Sequence, residues 1–214
     1  MTMQTDRLIA ALAADANTAP RRIGPVLTLA LLAALPVSVA LFMSILGMRP
    51  DVRTAMHNPF FDLKFVVTSV LAFTAIVVSL HLTRPEASFD RWGWLLVLPV
   101  VVIILGIGAE MMMPHQRPWL TRLIGNNAMA CMASIPLFSL PFLAAALLAL
   151  RRGAPAHPAL AGMTAGLLAA GLGATLYASH CADDSPLFVM VWYSLATAFV
   201  AAVGAFVGRR VLRY

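Results

Sequence analysis

Residues 92–113 read WGWLLVLPVVVIILGIGAEMMM, and Glu110 is the single charged side chain in that run. As a helix rising 1.5 Å per residue the run is roughly 33 Å long, enough to cross about 30 Å of hydrocarbon. It is apolar on every face. That excludes the one-sided stripe of a surface helix and the alternation of a membrane strand. A helix satisfies its own backbone groups inside a bilayer, so such a run is stable there without protein cover.

Five further runs behave in the same way, at residues 24–48, 62–83, 126–150, 159–180 and 187–209. The chain has 214 residues, of which 61% are hydrophobic and only 11% charged. An ordinary soluble domain carries about 25% charged residues. The composition excludes a soluble globular enzyme, a disordered tail and a secreted disulfide scaffold. The fold expected is all-α: a polytopic bundle of six transmembrane helices. Polar residues punctuate it. Asp62 and Asp90 precede the second and third spans, Asn126 and Asn127 the fourth, and Ser185-Pro186 the sixth. Trp92, Trp94, Trp119, Trp192 and Tyr193 fall near the span ends, where an aromatic belt sits.

The domain reading is a cytoplasmic tail over 1–22, a transmembrane domain over 23–210 and a short C-terminus over 211–214. Arg21-Arg22 precedes an apolar run of about 25 residues, longer than the 7–15 of a signal peptide core, so the pair reads as an anchor rather than a cleaved leader. The net charge of +6 follows topology. With the N-terminus cytoplasmic, ten arginines (7, 21, 22, 84, 91, 151, 152, 209, 210 and 213) lie inside, against five basic residues (Arg49, Arg53, Lys64, Arg117 and Arg122) outside. The positive-inside rule favours that orientation, and an even number of spans returns the C-terminus to the cytoplasm. No basic run is interleaved with aromatics, so direct nucleic-acid binding is not expected.

The tail MTMQTDRLIAALAADANTAPRR predicts a short amphipathic helix. Thr5 or Asp6 can cap it, alanines favour it, and Asn17 and Pro20 end it. Leu8, Ile9 and Leu12 make an apolar patch at helical spacing. A helix of about 12 residues is marginal alone in water and needs something to pack against. With Asp6, Arg7 and Asp15 and no aromatic, it is not the Lys/Arg-rich, aromatic-bearing helix of a membrane surface, which favours a protein partner over lipid.

Cys131 and Cys181 are the two cysteines, and they form no CxxC motif. In this topology both lie near the outer face, where an oxidising compartment permits a disulfide. His180, Asp183 and His115 are at the same level. With the thiols they form a candidate ligand set for a soft or borderline metal, and Met111, Met112 and Met113 add thioethers nearby. A cysteine in an apolar helix is equally a small packing residue. Lys64 reads as snorkelling to the outer interface, with a pair to Asp62 or Glu110 in the bundle as the alternative, and Glu110 reads as facing water. No nucleophile–base pair, phosphate loop, HExxH motif or chain of midplane acids is visible, so neither an enzyme nor a proton or cation transporter is indicated.

Three stretches together resemble the NrsF-like (negative regulator of sigma F) family: TDRLIAALAADA at residues 5–16 followed by Pro20 and Arg22, NNAMACMASIPLFSLP around Cys131, and HCADDSPLFVMVWYS around Cys181. Six spans and an arginine-rich C-terminus fit as well. The resemblance implies an anti-sigma factor of the bacterial inner membrane, not an enzyme. It would hold an extracytoplasmic-function sigma factor through the tail, with Asp6, Leu8, Ile9 and Leu12 as contacts. It implies that Cys131 and Cys181 are outward-facing sensors of heavy-metal or oxidative stress. No cofactor is required on this reading beyond a transient metal ion at the cysteines. A metal-handling transporter or a membrane thiol oxidoreductase built on the same Cys/His/Met cluster stays open.

Overall fold

A computed structural model describes residues 2–15, 23–84, 89–114, 118–153 and 155–213. Among these residues all regular secondary structure is helical, and there is no strand. Six helical segments are long and apolar enough to cross a membrane: Ile23–Ile45, Pro59–Leu82, Arg91–Met111, Trp119–Leu150, Pro158–Ala178 and Pro186–Val211. The elements are α1 (Thr2–Asp15), α2 (Ile23–Ile45), α3 (Val52–Ala55), α4 (Pro59–Leu82), α5 (Phe89–Gly93), α6 (Leu98–Met111), α7 (Trp119–Ile124), α8 (Ala128–Leu150), α9 (Pro158–Ala178), α10 (Pro186–Phe188) and α11 (Ser194–Val211). A 3-10 turn, Trp94–Val97, joins α5 to α6, and a π turn, Val189–Tyr193, joins α10 to α11. The third and sixth spans are therefore composite helices.

The boundaries follow local chemistry. Asn58 caps α4 by accepting a hydrogen bond from the Phe60 amide, and Pro59 takes the first helical position. The span thus begins three residues before Asp62, which lies exposed in its first turn. Pro186 opens the sixth span as expected. α1 begins at Thr2, so Thr5 and Asp6 lie inside the helix and not at its cap. Asn17, Pro20 and the Arg21-Arg22 anchor lie outside the described residues.

α9 is the hub. It packs on α11, α4 and α8, while α2 leans on α8 and α6 on α4. Its glycines explain the closeness. A Cβ on Gly162 would meet the Gly204 carbonyl oxygen and the Gly208 Cα, and one on Gly166 would lie 2.7 Å from Ala201 Cα of α11. Gly171 abuts the backbone of Ala72 in α4, and Gly173 abuts Ser139 in α8. Small residues let backbones approach where lipid supplies no hydrophobic drive between helices. Proline interrupts α8 twice, at Pro136 and Pro141, and between them the Phe138 carbonyl accepts the Ser38 hydroxyl of α2 at 3.1 Å.

The core divides along the bundle axis. One cluster gathers Leu27, Leu82, Leu150, Ala161, Leu168 and Leu212 at the end where the chain enters and leaves the bundle. The other gathers Phe42, Cys131, Phe138, Tyr177, Cys181 and Phe188 at the opposite end. These are the tail end and the thiol end below.

Candidate functional site

The thiol end is organised by one short connection, Ser179–Ser185, between α9 and α10. Cys131 sits in the first turn of α8, and its amide donates to the Asn127 carbonyl at 2.8 Å. Cys181 sits two residues beyond α9's C-cap Ser179. Both are free thiols, both have no exposed surface, and both belong to the same apolar cluster. Tyr177 and Tyr193 flank them with ring centroids 5.9 Å apart. Tyr193, expected in an interfacial belt, is buried here by the π turn that carries it. Its neighbour Trp192 donates from Nε1 to the Leu123 carbonyl at 3.0 Å.

Polar groups hold the loop over the thiols. Lys64 Nζ donates to the Cys181 carbonyl at 2.8 Å and to Asp184 Oδ1 at 2.6 Å. Arg49 donates from Nη1 to Asp184 at 3.2 Å and to the Cys181 carbonyl at 3.3 Å, and it forks onto Asp51 with Nε and Nη2. Lys64 is 1% exposed. The snorkelling expectation is therefore corrected. With α4 starting at Pro59, Lys64 is more than one turn inside the helix, and it turns inward to a carboxylate. Glu110 is corrected as well: it is 2% exposed, ion-paired with Arg122 at 2.9 Å, and accepts the Ser185 hydroxyl at 2.8 Å. A buried charge is tolerated only with such a partner.

Asp183 makes a different connection. Its Oδ2 accepts from the amides of Asn126 and Asn127 at 2.9 and 2.8 Å and from Asn127 Nδ2 at 2.9 Å. Asn127 gives α8 no side-chain cap of its own, so the carboxylate from the α9–α10 loop satisfies amides at the start of that helix, where the helix dipole favours an anion. Gly125 makes room for the approach. Its φ is +59°, and a Cβ there would press on the Phe188 ring and lie 2.9 Å from Asp183 Cγ.

The electrostatics leave the loop thiol neutral near pH 7. Burial pushes the Cys181 thiol above its ordinary pKa, against the downward pull of the Lys64 ammonium. A neutral thiol without exposed surface is inert until something moves. A polar recess of about 280 Å3 borders the loop, lined among others by Glu110, Arg122, Asn126, Asp183 and Asp184.

The candidate metal set is dispersed by other bonds. His180 Nδ1 contacts the Gly47 carbonyl at 2.9 Å, and Asp183 is engaged at α8. His115 lies outside the described residues. Met111, Met112 and Met113 are exposed at the end of α6 while both thiols are buried. No group of three or more His, Cys, Asp or Glu side chains able to hold a metal occurs among the described residues. At the tail end, Asp6 is exposed, and Leu8 and Ile9 of α1 are 61% and 59% exposed. Leu12 lies in the same helix.

Sequence reasoning places Asp184 and Glu110 at this level but misses Arg49 and Arg122 as members of the site, and it misses the pairings Lys64–Asp184 and Arg122–Glu110. The one available signal was a charge excess near the ends of spans, without any hint of which charges pair.

The family model for the negative regulator of sigma F, NrsF, matches residues 12–214. The chain belongs to the NrsF family. It is 36% identical to the anti-sigma-F factor NrsF of Caulobacter vibrioides (strain NA1000 / CB15N) over 219 residues, covering 99% of this chain and 100% of the relative. It is 33% identical to the probable anti-sigma-F factor NrsF of Azospira oryzae (strain ATCC BAA-33 / DSM 13638 / PS) over 179 residues, 81% of this chain and 82% of the relative. No solved structure matches the chain. The resemblance carried by the tail and the two cysteine segments is thus a family relationship, and the role implied by NrsF membership is regulatory. The NrsF model begins at residue 12, whereas the Caulobacter alignment takes in nearly all of the chain, tail included.

Proposed function

We propose that the protein is a multi-pass anti-sigma factor of the bacterial inner membrane that holds an extracytoplasmic-function sigma factor through its N-terminal tail. Residues 1–22 form the sigma-binding segment, with Asp6, Leu8, Ile9 and Leu12 as contacts. Residues 23–210 form a sensor domain in the membrane, and 211–214 a cytoplasmic C-terminus. Both termini face the cytoplasm. Cys131 and Cys181, at the other end of the bundle, are the input for heavy-metal or oxidative stress.

The observation that carries the reading is the near-full-length match to an anti-sigma-F factor. Two structural features support it. Leu8 and Ile9 are exposed on a helix that needs a partner. Of the five basic residues at the thiol end, Arg49, Lys64 and Arg122 are consumed in ion pairs. At the tail end Arg84, Arg91, Arg151, Arg152, Arg209, Arg210 and Arg213 are exposed. The larger number of basic residues at the tail end is the bias that orients that end to the cytoplasm. A signal at the thiols acts by biasing two helix arrangements, a coupling of order 1–3 kcal/mol.

Deletion of residues 2–20, with reporter transcription from a sigma-dependent promoter as readout, tests the reading. Transcription should rise to the level of a strain lacking the protein, while the bundle still inserts. Repression that survives the deletion contradicts it. Cys131→Ser and Cys181→Ser should preserve repression and abolish induction by metal or oxidant.

A further inference from the structure

Cys181 and Cys131 lie on different segments, yet the same short loop constrains both. Cys181 is held directly, through its carbonyl, by Lys64 and Arg49. Cys131 is held through α8, whose opening amides at Asn126 and Asn127 end on Asp183 Oδ2. The turn between them is closed by the Cys131 amide on the Asn127 carbonyl, which also accepts the Tyr177 hydroxyl at 3.4 Å. Asp183 is two residues from Cys181, and its own carbonyl lies 3.8 Å from Cys181 Sγ. Cys181 has no exposed surface. The group added at Sγ is a metal ion that replaces the thiol proton, an oxygen atom delivered by a peroxide that is reduced to water or alcohol, or an alkyl group from an electrophile that bonds the sulfur as the proton leaves. Any of these therefore has to displace the Asp183 backbone or the aromatic wall behind the thiol. The wall is built of Tyr177, Phe188 and Tyr193, each at most 3% exposed. The loop is the side open to solvent, since Ala182 is exposed and Asp183 and Asp184 are half-buried, so it is the side that can move, at the expense of the bonds that hold it.

We propose that Asp183 is a positioning residue that couples the two thiols: by capping α8 from the Cys181 loop it keeps the Cys131 turn wound and closed, and a group added at Cys181 withdraws the cap and opens Cys131. The inference rests on the reading of both cysteines as the input, and gives that input an order: Cys181 first, Cys131 second. α8 has no cap of its own to replace the lost one. Losing the acceptor exposes two amides and the Asn127 side chain to fraying, and the first turn contains Cys131.

The test is the N-ethylmaleimide labelling rate of Cys131, read by mass spectrometry on the full-length protein in native membranes. The reference is Cys181→Ser, which removes the competing thiol. Cys181→Met mimics an added group, Cys181→Ser/Asp183→Asn removes the charge of the cap, and Cys181→Met/Asp183→Asn combines both. Cys181→Met and Cys181→Ser/Asp183→Asn are each expected to raise the rate at Cys131 about tenfold over the reference. The combined variant should be no faster than either, because both changes act through one contact. Asp183→Asn keeps the side-chain shape, so it removes the charge of the cap without leaving a void at the start of α8. Labelling within twofold of the reference after Asp183→Asn overturns the proposal, and so does a combined effect that multiplies to a hundredfold. Sigma-dependent transcription is read separately. If labelling behaves as expected but Asp183→Asn in the otherwise unchanged protein leaves repression and induction untouched, the coupling stands and the sensing reading falls.

Discussion

The two ends of the bundle handle charge in opposite ways. At the thiol end Arg49, Lys64 and Arg122 are withdrawn from solvent and matched to Asp51, Asp184 and Glu110. At the tail end the arginines among the described residues are exposed, and the buried contacts are apolar or glycine against backbone. A buried ion pair adds little net stability over apolar packing, but breaking one side of it is costly. The thiol end is therefore specific and brittle: it has one well-defined closed arrangement, and a change at a single group is felt through several bonds. The tail end owes its cohesion to packing and leaves its charges and its helix α1 available to a partner.

Removing Lys64 attacks that contrast hardest. Lys64→Met leaves the Cys181 carbonyl to Arg49 and the Asp184 carboxylate to Arg49 and the Asn58 amide, and it should lower stability by about 3 kcal/mol, within the range for one lost partner of a buried pair. Thermal unfolding in detergent measures it. Lys64→Arg should restore part of the loss, and a change below about 1 kcal/mol would mean that the thiol end is not brittle.

The tail-end counterpart is steric. Gly162→Leu forces side-chain atoms against the Gly204 carbonyl and the Gly208 Cα, both backbone, so α9 and α11 must separate. Overpacking of this kind costs about 1–3 kcal/mol. Gly24→Leu has open space around its Cβ and should be close to neutral. Equal losses in the two variants would dissolve the idea that glycine contacts hold this end.

A third prediction concerns reactivity. Burial raises the pKa of the Cys181 thiol, so the thiolate that alkylates should develop only above the ordinary range near pH 8.5. The labelling rate of Cys181 in the intact protein should still be climbing at pH 9. A plateau by pH 8 would show a thiol already open to water.

The smallest effect is expected at Asp51. Arg49 holds this exposed carboxylate below its ordinary pKa. Its stabilising contribution is present above the unfolded value near 3.9 and is lost as pH falls through the lower folded one. Asp51→Asn should remove that part of the acid sensitivity below about pH 4 and change nothing at pH 7 beyond a slight loss. Acid titration of the folded fraction tests this.

The spans were legible in the sequence because the evidence for each is local: some twenty apolar residues with polar punctuation need no knowledge of their neighbours. The tail was legible as a helix for the same reason. The thiol end was legible only in its parts. Cys131, Cys181, His180 and Asp183 stand out by type and depth, yet their partners are fixed by tertiary contact. Asp183 caps a helix 56 residues earlier in the chain, and Lys64 meets a carboxylate 120 residues later. Snorkelling was the locally sensible expectation for a lysine near a span end, and the start of α4 at Pro59 defeats it. Asn126 and Asn127 marked the start of α8, though the apolar helical segment opens earlier with α7 at Trp119, and they did so as residues that receive a cap and not as residues that supply one.

The central claim is that this membrane bundle regulates by holding a sigma factor on its tail. Co-purification of the sigma factors of the host cell from solubilised membranes, with the intact protein and with Leu8→Asp/Leu12→Asp, tests it most directly. The account predicts a stoichiometric complex with the intact chain and its loss in the variant, with membrane insertion unchanged. Equal recovery of the sigma factor with both proteins, or none with a well-folded intact chain, would contradict it.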